Sequence, residues 1–569
     1  MWSAILPLLP LLPTAHGAGY GDVKLRYREV PTGICELQAG VKSYSGHADI
    51  SDHEHIFFWF FEARNVDPKT APLTAWISGG PGVSSMSELF TEHGPCRVDA
   101  DNTTIYNNPF SWSNYSNVIY IDQPNQVGFS YSDLVPGYMD KNNEGAIVED
   151  HSCQANNSTC GCFSKPDVTA TANSTLAAAP KFWLTLQAFM NSFPEYTDNG
   201  FHFGSESYGG HYVPIFSKYI QDQNKASIAG ARHIDLKSIL IGNGWYSPQL
   251  QSQAYYDYGY ESGSPYDLPP INATLKKEVY EKLVGPGGCL EQLRECEAIG
   301  TDEICKAADN YCGVEIDQPW AKSTGRDDNN VRMLNHEDDE DNEDDEDDEY
   351  KESPLPNSFF EAYLNHTHVR EAIGALQTWI GDSQTVTEAF DLTGDDGREL
   401  GIIKILGELA GEGINVVLYN GDADYICNHL GVEASAAAVG FPGYDKAGFA
   451  DILTDDCVIH GSVKQSGPFS YVRIYEAGHA AGAFQPLTLQ TIFKRAIAGL
   501  DIATGTSKAV PGYLSTGPLK DTYREGNRTV QFGYWPEQTT YNYTSNLPTL
   551  DNFQPTWNGG ACVRAEECT

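Results

Sequence analysis

"FHFGSESYGGHYVP", residues 201–214, joins an apolar strand-like run to a helix-like continuation through a serine set among glycines. S-x-S-x-G at such a junction matches G-x-S-x-G, the sharp strand-to-helix turn that exposes a serine hydroxyl at the edge of a sheet, with Ser205 where the first glycine normally stands. Ser207 is therefore the candidate nucleophile, against the plainer reading of a serine in a Gly-rich turn. Its neighbour Glu206 poses a difficulty, because a carboxylate beside a developing alkoxide repels it.

Outward from this stretch, short β-rich apolar runs ending in Gly-containing turns recur: "LTAWISGGPG" (73–82), "NVIYIDQP" (117–124), "LKSILIGNG" (236–244), "INVVLYNGDAD" (414–424) and "YVRIYEAGH" (471–479). Helix-like stretches at 176–193 and 209–223 lie between several of them. This rhythm predicts a parallel or mostly parallel α/β sheet with functional residues at the strands' carboxyl ends. An α/β-hydrolase needs an acid and then a histidine after the serine. Asp424 or Asp422 follows one later strand and His479 ends the next, whereas His429 and His460 follow no strand-like run and read as structural.

The 569 residues carry a net charge of -41, which excludes a nucleic-acid partner and an anionic membrane surface. Twelve acids in the thirteen positions 337–349 supply much of it and read as a solvated tract. Residues 1–17 read as a secretory leader with an A-x-G cleavage site at Ala15–Gly17, although no Lys or Arg precedes the apolar run and prolines interrupt it. No later segment has the length of a membrane span, so the chain is expected to be secreted, with a vacuole or other acidic lumen as the alternative. Cys289, Cys296, Cys305 and Cys312 are spaced 7, 9 and 7 residues apart, which suggests nested bridges 289–312 and 296–305 among three possible pairings. Thirteen cysteines leave at least one thiol unpaired, and sequons at Asn102, Asn114, Asn156, Asn157, Asn173, Asn272, Asn365, Asn527 and Asn542 predict N-linked glycans.

The strand rhythm stops between 245 and 365, which is read as a disulfide-held cap insertion with a disordered acidic loop at 323–352. The expected plan is a core in two parts, 18–244 and 366–512, around that insertion, and a C-terminal tail, 513–569, with no assigned chemistry.

"WISGGPGVSSM", "GPCRV", "NNPFSWSNYSNVIYIDQP", "VGFSYS", "SESYGGHYVP", "GDADYICN" and "AGH" occur in that order, and the chain from about 25 to 505 resembles the serine carboxypeptidases of the α/β-hydrolase fold, in the fungal secreted carboxypeptidase S1-like branch. The resemblance implies Ser207 as nucleophile, His479 as general base and acid, and Asp424 as its orienting partner, preferred over Asp422 for lying three before Cys427. It implies an oxyanion hole from the N–H groups of Gly80 and Tyr208. Glu206 and Glu92, as a proton-sharing pair, would hold the substrate's C-terminal carboxylate with Ser78 and Gly79. Ser78 stands where the family has Asn, and Val83 where many members have a disulfide Cys. Trp76, Tyr208, Cys427 and Ala480 are expected around the pockets, with core packing an equal reading for Trp76. Cys427 resembles the family's unpaired thiol, while Cys35, Cys96 and Cys457 remain possible partners.

The expectation is an acid-active carboxypeptidase that cleaves peptide and protein C-termini through an acyl-enzyme, without metal or organic cofactor, as a monomer or homodimer. Its rivals are an esterase or acyltransferase of the same fold, and a catalytically silent binding glycoprotein.

Overall fold

The structure is a computed structural model; it describes residues 23–525 apart from 141–142, 144, 154–159, 334–357 and 457, together with the short strands 15–17, 541–542 and 547–548. Six parallel strands form its centre: β1 (Leu73–Ile77), β2 (Asn117–Ile121), β3 (Phe201–Glu206), β4 (Leu236–Gly242), β5 (Asn415–Gly421) and β6 (Phe469–Ile474). Their spatial order is β2-β1-β3-β4-β5-β6. The parallel centre has antiparallel flanks. Ala15–Gly17, Lys24–Glu29, Ser43–Ser51 and Glu54–Phe61 extend it beyond β2, and Ile459–Ser466 and Phe449–Leu453 beyond β6.

Near-continuous burial explains why the central strands read as apolar runs: every residue of β1, β2, β3 and β6 is buried. Glu54–Phe61 shows the two-sided core at single-residue resolution, since Phe58 and Phe60 face one hydrophobic cluster while Phe57, Trp59 and Phe61 face the other. Helices α1 (Thr175–Ser192) and α2 (Gly209–Ala226) cover the first of these faces. The order in which strands are added to the sheet reverses between β1 and β3, whose adjacent carboxyl ends open the crevice where α/β sheets bind ligands.

Between β4 and β5 lie α3 (Pro248–Gly259), α4 (Ala273–Val284), α5 (Cys289–Ile299) and α6 (Asp302–Cys312). Cys289 is bonded to Cys312 and Cys296 to Cys305, so α5 and α6 are stapled into a hairpin. Leu293, Ala308 and Trp320 give this region its own small core. The segment expected as a disordered loop over 323–352 does not start at 323. Residues 330–333 are buried, Val331 N–H donates to Ala423 O at 2.8 Å and Arg332 pairs with Glu476 at 3.2 Å. A buried guanidinium needs its carboxylate, so this stretch folds back onto the core; the acidic run 337–349 lies outside the described residues.

Cys35 is bonded to Cys96 and Cys153 to Cys160, while Cys162 and Cys427 are free thiols; Cys457 lies outside the described residues. Of the sequons, Asn272 caps α4 by accepting from Thr274 N–H at 2.7 Å, and Asn365 exchanges hydrogen bonds with the Trp379 backbone. Asn156, Asn157 and Asn527 lie outside the described residues, as does the leader except for Ala15–Gly17. The tail is packed as far as 525, where the Tyr523 hydroxyl donates to Glu476 at 2.9 Å; beyond 525 only the strands Tyr541–Asn542 and Leu547–Pro548 are described. Among the described residues no helix is long and apolar enough to cross a membrane.

Candidate active site

Ser207 leaves β3 at φ +59°, the left-handed conformation that turns a side chain outward at a strand-to-helix elbow. Its N–H donates to Gly242 O at 2.9 Å, and its carbonyl accepts from Gly210 and Trp245 N–H, each at 2.9 Å. The elbow is thus clamped to β4 on one side and α2 on the other. Ser205, in place of the usual glycine, fits because Gly209 faces it: a Cβ on Gly209 would lie 2.0 Å from Ser205 Oγ.

The turn after β5 presents Asp424 and the turn after β6 presents His479. Their side chains meet, Nδ1 to Oδ2, at 2.8 Å, with Asp424 fully buried and the histidine side chain 15% exposed. Asn243 Nδ2 at 2.8 Å and Cys427 N–H at 3.2 Å donate to the same oxygen and fix the carboxylate's orientation. The histidine is also held through its own backbone, His479 N–H donating to Asn329 O at 2.8 Å. Burial lowers the affinity of the ring for a proton, but the charge and hydrogen bond of Asp424, with Glu92 and Asp328 beyond, outweigh it and leave the His479 pKa raised. Asp422 is occupied elsewhere, by Arg473, Tyr266 and the Glu476 N–H. His460 pairs with Asp456 at 2.7 Å and His429 packs edge-on to Tyr258, both away from this constellation.

A cavity of about 250 Å³ opens at the elbow, lined by Gly80, Ser207, Tyr208, Trp245 and Cys427. Cys427, Asp424 and His479 offer atoms within 4.8 Å of one another, so the serine and the histidine–aspartate pair share one end of the sheet. That spacing would also suit a cation. Asp424 Oδ2, however, already takes three hydrogen bonds, and burial followed by the Asp424 charge pushes the Cys427 thiol well up, leaving a protonated and poor ligand. Asp309, Asp317 and Asp396 face the same cavity from the insertion and the segment before β5. Burial, then neighbouring acids, raises Asp309 to about 6, Asp317 to about 7 and Asp396 well above its usual range.

The loop after β1 carries Ser78, Gly79 and Gly80. A Cβ on Gly79 would stand 2.6 Å from both Glu206 O and Tyr208 N, so only glycine lets this loop lie against the elbow. Buried Asp122 anchors the loop through Ser84 Oγ at 2.8 Å and Ser85 N–H at 2.9 Å. Tyr208 lines the cavity, and its hydroxyl donates to Asp395 at 2.6 Å.

Glu206, Glu92 and Glu88 form a buried carboxyl cluster beside the elbow, 5%, 1% and 4% exposed. Glu206 is hydrogen-bonded to both of the others. Burial, then the charges of Glu92 and Glu88, raises Glu206 well above the ordinary carboxyl range; burial and Glu88 bring Glu92 to about 7. Gly482 N–H donates to Glu92 Oε2 at 2.6 Å.

Several expectations change here. Ser78, expected to face the substrate, is 3% exposed and gives its only proton to Glu88 at 2.7 Å. Trp76 is no pocket wall: it is fully buried, edge-on to His93 and Trp112, because its indole N–H reaches Glu88 at 3.2 Å inside the core. Ala480 is half-buried and caps the short helix Ala481–Phe484 that brings Gly482 to Glu92. Sequence reasoning missed Glu88 and Asn243. "SMSELFTE" did carry two glutamates four apart, a spacing that puts both on one side of a helical turn.

Residues 33–499 match the family model described as serine carboxypeptidase. Carboxypeptidase S1 homolog B of Arthroderma otae is 33% identical over 549 residues, covering 88% of this chain and 80% of the relative. Carboxypeptidase S1 of Penicillium janthinellum is 34% identical over 471 residues, covering 82% of this chain and 97% of that one. Kex1(Δ)p, described as a prohormone-processing carboxypeptidase from Saccharomyces cerevisiae, superposes with a TM-score of 0.65 at 23% identity over 84% of this chain and 97% of its own, a likeness of fold. The elbow, the histidine–aspartate pair and these matches converge: the chain belongs to the serine carboxypeptidase family, with the α/β-hydrolase fold.

Proposed function

We propose that the protein is a secreted glycoprotein, freed of residues 1–17, that removes single residues from peptide C-termini on the acid side of neutrality through an acyl-enzyme. Ser207 Oγ attacks the last peptide carbonyl as His479 takes its proton, and the oxyanion accepts from the Gly80 and Tyr208 N–H groups. His479 then protonates the departing amine, leaving an ester on Ser207. Water, deprotonated by the same ring, splits that ester. Asp424 holds Nδ1 and offsets the imidazolium charge.

One observation carries the exopeptidase reading: a buried Glu206, in contact with two other carboxyls, immediately precedes the serine. Carboxyls in contact retain protons, and a protonated Glu206 donates to a terminal carboxylate instead of repelling it. The pH limits follow from two signs. Glu206 must keep its proton, so binding weakens as pH rises through its raised pKa; His479 must lose its own, so turnover falls as pH drops below its raised pKa.

A fluorophosphonate probe tests the chemistry. Wild type should be labelled on Ser207 and should trim a peptide one residue at a time from its C-terminus, and the Ser207→Ala variant should do neither. Labelling elsewhere, or internal cleavage, would overturn the reading. The esterase alternative draws on one observation, that the Ser78 proton is committed to Glu88 and is lost to substrate binding. It predicts turnover of an N-blocked amino-acid ester without turnover of the matching N-blocked dipeptide.

A further inference from the structure

Glu88 contacts Glu206 as Glu92 does, and the donors around the three carboxyls are unevenly shared. Glu88 takes the Ser78 hydroxyl at 2.7 Å and the Trp76 indole N–H at 3.2 Å. Glu92 takes the Gly482 N–H at 2.6 Å. Glu206 Oε2 and Glu92 Oε1 are both buried and receive no N–H or O–H donor from the protein, whereas each oxygen of Glu88 has one. Glu88 is therefore the acceptor of the cluster, and Glu206 and Glu92 must bring protons of their own to satisfy the contacts.

We propose that Glu88 is a positioning residue: sharing Glu206 with Glu92, it keeps that carboxyl a hydrogen-bond donor to the substrate's terminal carboxylate over a wider span of pH than Glu92 alone would. This rests on the carboxypeptidase reading above and adds a residue to it. A Glu88 carboxylate beside Glu206 opposes the loss of the Glu206 proton and leaves that one proton free to turn to the substrate. Ser78 and Trp76 serve this arrangement by holding Glu88 rather than the substrate, which accounts for a hydroxyl that faces away from the cleft.

The other titratable groups around the cluster leave this effect standing. Asp122 is raised to about 7 by burial, Tyr120 and Tyr419 are pushed well up and His93 well down by burial, so these groups are neutral on the acid side of pH 7. Arg97 lies against Glu92, where its charge favours the Glu92 carboxylate, and the Glu92 charge in turn raises His479. Replacing Glu88 alters neither Arg97 nor His479 directly.

The test compares wild type with Glu88→Gln on an N-blocked dipeptide, which has a terminal carboxylate, and on the N-blocked ester of the same acyl residue, which has none, from pH 4 to 8. In the variant, the rise of KM for the dipeptide with pH should move about one pH unit toward acid, which is about tenfold in KM at the upper end. The kcat for both substrates and the KM for the ester should stay within about twofold. Superimposable dipeptide profiles, or equal changes for dipeptide and ester, would overturn the proposal. Loss of turnover of both substrates by wild type would instead sink the carboxypeptidase reading. A second measurement needs no Glu88 variant: calorimetric titration of Ser207→Ala with the dipeptide, in two buffers of different ionisation heat, reads proton uptake on binding. No uptake between pH 5 and 6 is expected, and uptake close to one proton already at pH 5 would contradict the role given to Glu88.

Discussion

Asp424 Oδ2 accepts from His479, Asn243 and the Cys427 N–H, so its negative charge and its direction are both set by neighbours. Asp424→Asn keeps the shape but offers the ring the wrong tautomeric partner; kcat should fall by about 10⁴-fold with KM little changed, measured on the N-blocked ester at pH 7. At this scale the sequence was informative where chemistry has an order along the chain. Ser207, Asp424 and His479 each follow an apolar strand, and that pattern is visible in the letters. Direction of burial is not. "WISGG" and "SELFTE" do not say that Trp76 and Ser78 turn inward to meet Glu88, and "IGNGW" does not say that Asn243 reaches across from β4 to the acid after β5. The first two join β1 and its loop to the short helix that follows, and the third spans 181 residues; all depend on which way a side chain turns, which no local spacing encodes.

The β1 loop and the β3 elbow touch backbone to backbone, and that contact sets the candidate oxyanion hole. Gly79→Ala would insert a methyl group 2.6 Å from Glu206 O and Tyr208 N. A displacement of about 1 Å in such a site costs about 10²-fold. The fluorophosphonate labelling rate and kcat should therefore both fall by that order while the fold persists, read from labelling kinetics beside a thermal melt. Labelling at the wild-type rate would show that the loop does not set this geometry. Element by element, the six central strands and α1 and α2 were legible because two-sided burial leaves an unbroken apolar run and helices restore a polar face. The stapled hairpin of α5 and α6 follows the symmetric cysteine spacing. Residues 323–333 were misread because the neighbouring acids dominated their composition, whereas Arg332 answers to Glu476, far along the chain.

Over the whole molecule, buried carboxyls are held neutral in the fold: Glu92, Asp122 and Asp317 are raised to about 7, and Asp309 and Asp327 to about 6. In the unfolded chain such groups lose their protons near pH 4. Five buried histidines, His47, His93, His202, His211 and His429, have lowered pKa values and act the other way below pH 6.5, but the raised carboxyls outnumber them, so between pH 4 and 7 the native state binds more protons than the unfolded state and stability declines as pH rises. A net charge of -41 at neutral pH adds self-repulsion in the same direction. Calorimetric Tm should be higher at pH 4.5 than at pH 7.5; a Tm that is flat or rises over that range would contradict this. A protein most stable in acid also suits the acid-side activity proposed for Glu206. The most direct test of that claim is the ratio of kcat/KM for an N-blocked dipeptide to that for the N-blocked ester of the same acyl residue, measured from pH 4 to 8 in wild type and Glu206→Gln. The account predicts a ratio that is high in acid and falls toward pH 8 in wild type, and a ratio in the variant that no longer varies with pH; a wild-type ratio independent of pH, or a variant that reproduces the wild-type curve, would contradict it.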